Sequence, residues 1–356
     1  MENINIYTTP AAKAPPGQVN NLINPYSQQP GLVAAAAVCL TLTTIFVAIR
    51  TFTKVYVLRA TQIEDYALII AQFGLAAFIG VIVTSGTYGQ GRHIWDVSIH
   101  GVQQVANLSN ISEILYGPTM FCAKFSVLKQ IERIFCSIKK DHVYWWIQAM
   151  IWANALFDVS IFVSFLCACI PREKLWNPTV EGTCISTNGS IIATSIINII
   201  SDWSALILPL VVIRKLKMDM QKKLGVMAIF AVGLLACIAS IVRLIYSIQL
   251  TNSADETWAI DPVGIWAFIE FATVILSGCF PILPRFMQFI RYGRNGALKT
   301  HTNNSAYEMG SAGRAKGSQF SGTGPKSGGR REDFKGMAGS GQREYIPLDD
   351  ERRVGM

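Results

Sequence analysis

Seven apolar stretches, each long enough to cross a bilayer as a helix, constrain this chain more than any other feature of its sequence. They run from Gly31 to Ile49, Ile63 to Ser85, Ile111 to Ile131, Tyr144 to Ile170, Gly189 to Ile213, Leu224 to Leu250 and Pro262 to Pro284. A transmembrane helix needs roughly 20 mostly apolar residues to span about 30 Å of hydrocarbon. The third stretch is the least apolar, because it holds Glu113 and Lys124. The fourth opens on Tyr144, Trp145 and Trp146, side chains that suit a membrane interface. Of the 356 residues, 51% are hydrophobic and 15% charged, whereas a soluble domain carries about a quarter charged. One globular core cannot hide that excess, so lipid is the expected solvent. The sequence therefore predicts an all-α membrane fold, a seven-transmembrane helix bundle over residues 31–290. A polar segment, 1–30, and a basic tail, 291–356, are expected to be disordered around it. Residues 1–30 lack the basic start, apolar stretch and small-residue cleavage site of a signal peptide, so the first span is expected to direct insertion.

Lysine and arginine set the expected direction. Arg50, Lys54 and Arg59 follow the first span, and Lys129, Arg133, Lys139 and Lys140 follow the third. Arg214, Lys215, Lys217, Lys222 and Lys223 follow the fifth. These twelve fall on one side of a seven-span chain, against four on the other: Lys13, Arg92, Arg172 and Lys174. The positive-inside rule then places the N-terminus outside and the tail in the cytoplasm. The loop with Cys169 and Cys184 becomes luminal, where a disulfide can form, with Cys167 a competing partner. The sequons at Asn107, Asn110 and Asn188 fall on the same side, close to the membrane, and are glycosylation candidates. The tail holds twelve positive and seven negative side chains. Its aromatic residues are not interleaved with that charge in the manner of a nucleic-acid-binding segment, so no nucleic-acid partner is expected. The bilayer itself is the first partner.

Ionisable side chains at membrane depth each cost about 3 kcal/mol or more unless they find a partner or a wet cavity. The spans contain Lys124, Asp158, Asp202, Arg243 and Glu270. At about 1.5 Å per residue, Lys124 and Asp202 each lie roughly 20 Å below the outer ends of their spans. Arg243 and Glu270 share a shallower level. Two pairs follow, Lys124 with Asp202 and Arg243 with Glu270, while Asp158 has no obvious mate. Such pairs either pin the bundle in register or line a cavity and exchange partners as a switch.

Several motifs occur in an order that resembles a known family. Arg50 precedes an acidic pair, Glu64 and Asp65. Gly89, Gly91, His93 and Trp95 mark the first outer loop. Lys124 and Ser126 stand in an Ala-Lys-Phe-Ser run, followed by Arg133 in Arg-Ile-Phe. Cys169, Pro171, Trp176 and Cys184 mark the second outer loop, and Asp202, Pro209, Lys222, Gly233, Arg243, Trp266, Glu270 and Pro281 complete the series. Over residues 31–290 the chain resembles the fungal rhodopsin-like integral membrane proteins, relatives of proposed non-classical G-protein-coupled receptors. The resemblance implies a seven-helix fold and a receptor-like role. No cysteine precedes Cys39, so the Cys-rich extracellular module of some receptor-like members is not expected.

The word rhodopsin does not imply retinal here, since a Schiff base needs a lysine in the seventh span and Glu270 is its only ionisable group. No cofactor is expected. Among the eight cysteines no CxxC or Cys/His metal spacing occurs, and His93 and His100 alone do not make a metal site. The glycines of the first outer loop follow no strand, so they are not a phosphate cradle, and no catalytic set comes together. An enzyme is not expected. The favoured reading is a receptor-like protein of the plasma membrane that binds a small or apolar ligand. Its basic fifth loop, Arg214, Lys215, Lys217, Lys222 and Lys223, would dock a G protein or another acidic partner. The alternatives are a transporter and an accessory membrane protein of a secondary-metabolite or virulence pathway. Against transport, seven spans do not divide into two equal repeats.

Overall fold

The computed structural model describes residues 5–135, 142–177, 179–214 and 220–293. Seven long helices follow one another: α1 Gln29–Phe52, α2 Ile63–Tyr88, α3 Ile99–Phe135, α4 His142–Leu166, α5 Thr187–Arg214, α6 Met220–Asn252 and α7 Glu256–Cys279. Two short strands between α4 and α5, β1 Cys169–Ile170 and β2 Thr183–Cys184, pair antiparallel with Cys169 opposite Cys184. The two cysteines form a disulfide, while Cys167 is free and exposed.

Among the described residues, six helices are long and apolar enough to cross a membrane. They are α1 with its extension to Leu58, α2, α4, α5, α6 and α7 with its extension to Gly293. The exception is α3, whose 37 residues pack against α2, α4 and α7. It starts twelve residues before the expected Ile111, because Gln103, Gln104, Asn107 and Asn110 gave its first turns no apolar signature. At the other extreme stands α4, which stops at Leu166 rather than at the expected Ile170, since Cys169 and Ile170 enter β1.

Burial divides the helices into two kinds. Every residue of α7 from Glu270 to Cys279 is buried, so this helix is wrapped by its neighbours. Its Phe268, Phe271 and Ile275 meet Leu68, Leu75 and Phe78 of α2 and Met120 of α3 in one apolar core. Conversely, α4 leaves Trp145, Trp146, Trp152, Leu156 and Val159 exposed. Outside a bilayer that stripe would demand cover, whereas hydrocarbon solvates it at no cost. The fold is a membrane helical bundle and the protein a multi-pass membrane protein. Gly74 permits the close approach of α2 and α3, since a side-chain carbon there would collide with Thr119.

Residues 5–28, expected as disordered, lie on the loop between α2 and α3. Ala11 donates to Val97 O at 2.9 Å, Ile99 to Thr9 O at 3.1 Å and His100 to Ile6 O at 3.1 Å. These are backbone bonds, which composition does not announce. The whole expected tail beyond Gly293 lies outside the described residues.

Candidate functional site

Both expected ion pairs form. Lys124 Nζ stands 2.8 Å from Asp202 Oδ1, and Arg243 Nε stands 2.7 Å from Glu270 Oε2. The four charges sit on α3, α5, α6 and α7, all buried, and together they are neutral. Neutral side chains join the two pairs into one network. Lys124 also donates to Asn198 Oδ1 at 3.1 Å, Asn198 Nδ2 donates to Tyr116 Oη at 3.1 Å, and Tyr116 donates to Glu270 Oε1 at 3.1 Å. Ser240 closes the ring: its hydroxyl lies 2.5 Å from Asp202 Oδ2 and 3.1 Å from Glu270 Oε1. Its single proton can serve only one of those carboxylates at a time.

The Arg243–Glu270 contact is close but poorly aligned. Arg243 Nε and Nη2 and Glu270 Oε2 make no hydrogen bond, although all three atoms are buried. The guanidinium carbon instead lies 4.8 Å from the centre of the Tyr116 ring, a cation–π placement. Charge is balanced there while hydrogen-bonding capacity is left over.

Above Arg243 and Tyr116 the helices part around a cavity of about 290 Å³. It opens toward the end of the bundle that carries the disulfide. Phe78, Val105, Phe165, Ile260 and Val263 line it, with Asn110, Glu113 and Gln90 among them. Arg243 and Tyr116 thus belong both to the cavity wall and to the network.

The first-loop motif forms a tie at the same end. His93 is stacked between Trp95 and Trp258, with ring centres at 4.4 and 4.1 Å, and its Nδ1 lies 2.5 Å from Asp255 Oδ2. Gly89 and Gly91 have φ of +122° and +80°, conformations that favour glycine. Gly91 donates to Thr257 O at 2.8 Å and accepts from Gln28 N at 2.9 Å, so one residue fastens the starts of α1 and α7.

The remaining expected residues fall elsewhere. Asp158 is buried on α4 with no ion pair or hydrogen bond among the described residues. Asn107 and Asn110 both lie within α3, and Asn110 is buried, donating to Phe165 O at 3.2 Å. The side chain of Asn188 lies outside the described residues. So do those of Arg214, Lys222 and Lys223, and the whole of Lys215 and Lys217.

Sequence reasoning missed a second buried cluster, at the end where α1 meets α2. Arg50 Nε and Nη2 donate to Asp65 Oδ1 at 2.9 and 2.6 Å, and its Nη1 donates to Gln130 Oε1 at 2.7 Å and to the Gly278 carbonyl. Asp65 Oδ2 also accepts from Gln62 N at 3.0 Å, capping α2. Lys54, carried on a π-helical turn from Thr53 to Leu58, lies 3.3 Å from Asp65 and 3.8 Å from Glu64. Arg133 reaches Glu64 at 2.6 Å. Arg50, Lys54 and Arg133 follow spans and read in the sequence as positive-inside signals, while Glu64 and Asp65, at the start of the second span, read as a family motif. The linkers Tyr116, Asn198 and Ser240 were missed too. A signal existed: each lies three, four or eight positions from a charged partner on its own helix, hence on one face.

Fold and site together define a polytopic helical membrane protein with a neutral ionic network beneath a cavity. The chain belongs to the fungal rhodopsin domain family, whose sequence profile matches residues 49–289. It is similar to a SAT4 family membrane protein of Emericella nidulans, 34% identical over 227 residues, covering 64% of this chain and 58% of that protein. It therefore spans less than two thirds of that relative. The Fugralins biosynthesis cluster protein 2 of Gibberella zeae is 29% identical over 328 residues, covering 89% of this chain and 82% of the relative. The Wortmanamides biosynthesis cluster protein C of Talaromyces wortmannii is 23% identical over 251 residues, 69% and 66% of the two chains. No solved structure matches the chain.

Proposed function

We propose that the protein is a receptor-like plasma-membrane protein that acts by binding rather than by catalysis. All seven helices cross the bilayer in this reading, with α3 projecting beyond it at its polar start. In the same reading the disulfide end faces outward, the orientation that the positive-inside rule favours for this distribution of Lys and Arg. A small ligand enters the cavity, and the network carries its effect toward the basic end, where a G protein or another acidic partner docks. One observation carries the reading: Arg243 and Tyr116 line the cavity and are also members of the buried network. An occupant that moves either side chain must disturb Glu270, and through Asn198 and Ser240 the Lys124–Asp202 pair. Bistable networks of this kind are a recognised basis for switching.

The test is resonance energy transfer between a tag on the tail and each host G-protein α subunit in native membranes. It compares the natural chain with one carrying Gln at Lys215, Lys217, Lys222 and Lys223, at matched surface levels. Transfer that needs those lysines and responds to external cues supports the receptor. Transfer no greater than that of an unrelated seven-helix protein, for every subunit, overturns it. The second reading, an accessory membrane protein of a biosynthetic pathway, draws on the names of the Gibberella and Talaromyces relatives. It predicts that deleting the gene changes a secreted metabolite while G-protein signalling is untouched.

A further inference from the structure

Two polar groups in the cavity lack what they need. Arg243 is 3% exposed, yet its Nη2 has no acceptor. Glu113, on the facing helix α3, makes neither an ion pair nor a hydrogen bond among the described residues, although it lines the same space. The positive charge of Arg243 is already met by Glu270 at 2.7 Å. What Arg243 lacks is an acceptor atom rather than a counter-charge, and what Glu113 lacks is a donor. The remaining wall is apolar, including Phe78, Val105 and Val263. At about 290 Å³ the space is at the small end of ligand cavities, which run from about 300 to 1,000 Å³.

We infer that this cavity takes a small apolar molecule with one uncharged polar end that both donates and accepts, such as a carboxamide or a hydroxyketone. The ligand's oxygen accepts from Arg243 Nη2 and its N–H or O–H donates to Glu113. A carboxylate end supplies no donor and faces Glu113, Glu256 and the Glu270 behind Arg243. An ammonium end supplies no acceptor and stands against the guanidinium. Glu113 stands outside the balanced set of four, and an uncharged end that both donates and accepts answers Arg243 Nη2 and Glu113 at once, which neither charged end does. This inference rests on the ligand-binding half of the proposed function and is independent of any signalling partner.

The full chain in lipid nanodiscs is labelled with octyl probes that carry a diazirine and differ only in their end group: carboxamide, carboxylate or ammonium. Crosslinked peptides are mapped by mass spectrometry. The carboxamide probe is expected to label the α3 and α7 residues around Val105 and Val263 about tenfold more than either charged probe, and excess unlabelled octanamide should remove that labelling. Glu113→Leu should abolish the preference, and Ala267→Leu, which narrows the cavity, should abolish the labelling itself. Both variants are checked for an unchanged melting temperature. Should Ala267→Leu fail to fold, Glu113→Leu and the competition remain decisive. Preference for either charged probe overturns the inference, and so does equal or uncompeted labelling by all three. Selective labelling without energy transfer to any G protein would sink the receptor reading and leave this one standing.

Discussion

The network beneath the cavity and the cluster at the basic end use similar side chains under different rules. Beneath the cavity, two positive and two negative groups form two ion pairs, all buried, and Tyr116, Asn198 and Ser240 carry the connection between them. At the basic end Arg50, Lys54 and Arg133 find, among the described residues, only Glu64 and Asp65 as opposite charges. One positive charge is left over, and the Arg133 side chain is 39% exposed. The difference follows from the solvent. Deep in the bundle these four groups are answered by one another, while Asp158 and Glu113 stand outside the set with no ion pair among the described residues. Where water reaches one arm, the balance can be completed from outside.

Removing one partner from the closed set should have the largest effect. Asp202→Leu leaves Lys124 buried and uncompensated, a loss of about 3–5 kcal/mol, seen as failure to reach the surface or as aggregation in detergent. The double change Lys124→Met with Asp202→Leu should restore much of the folded protein, because no charge is then stranded. If the double variant is as poor as the single, electrostatic balance is not what governs this set.

The disulfide ranks next. Cys169→Ser should cost about 3 kcal/mol, the value expected for closing a loop of this length, given a sequence separation of 15. Cys167→Ser should leave the melting temperature unchanged, since that thiol is free. Equal losses from both would mean that the pairing exchanges.

Tyr116→Phe keeps the ring under Arg243 but removes the hydroxyl that joins Asn198 to Glu270. We expect a loss of about 1–3 kcal/mol and a smaller coupling between the two ion pairs, measured by a double-mutant cycle on Lys124 and Arg243 in the Tyr and Phe backgrounds. Unchanged coupling would show that the pairs act independently and that the linkers are incidental.

Arg133→Gln should have the smallest effect, at most about 1 kcal/mol, because water screens the exposed arm. Arg50→Met, at the buried heart of the same cluster, should lower the melting temperature far more. Similar effects would erase the distinction between the open and the closed set.

The sequence revealed the two deep pairs because charge at membrane depth is rare and its level can be counted from a span end. Lys124 met Asp202, and Arg243 met Glu270, at the levels so counted. The linkers were hidden because Tyr, Asn and Ser are unremarkable in helices and declare their role only when facing helices meet. Arg50 was visible only as a positive-inside and motif residue, and Glu64 and Asp65 only as a motif pair, since charges at a span end are ordinary. The early start of α3 was masked by its polar composition. The order of residues 5–28 was unreadable because backbone groups hold it, and every residue carries those. Of the cavity, the sequence singled out Arg243 as a charge at depth and not the space, which depends on how far the helices part.

The all-round burial of α7 has a consequence for how this protein can vary. A helix in contact with lipid answers mainly to hydrophobicity, so the outward stripe of α4 can exchange Leu, Val and Phe with little penalty and can adjust its tilt to a thicker or thinner bilayer. From Glu270 to Cys279, α7 touches protein on every side, so a swap that preserves polarity but changes shape disturbs several neighbours at once. Sterol content and acyl-chain length should therefore act on the rim of the molecule and leave its axis in place, making α7 the fixed post around which the other helices respond to the membrane.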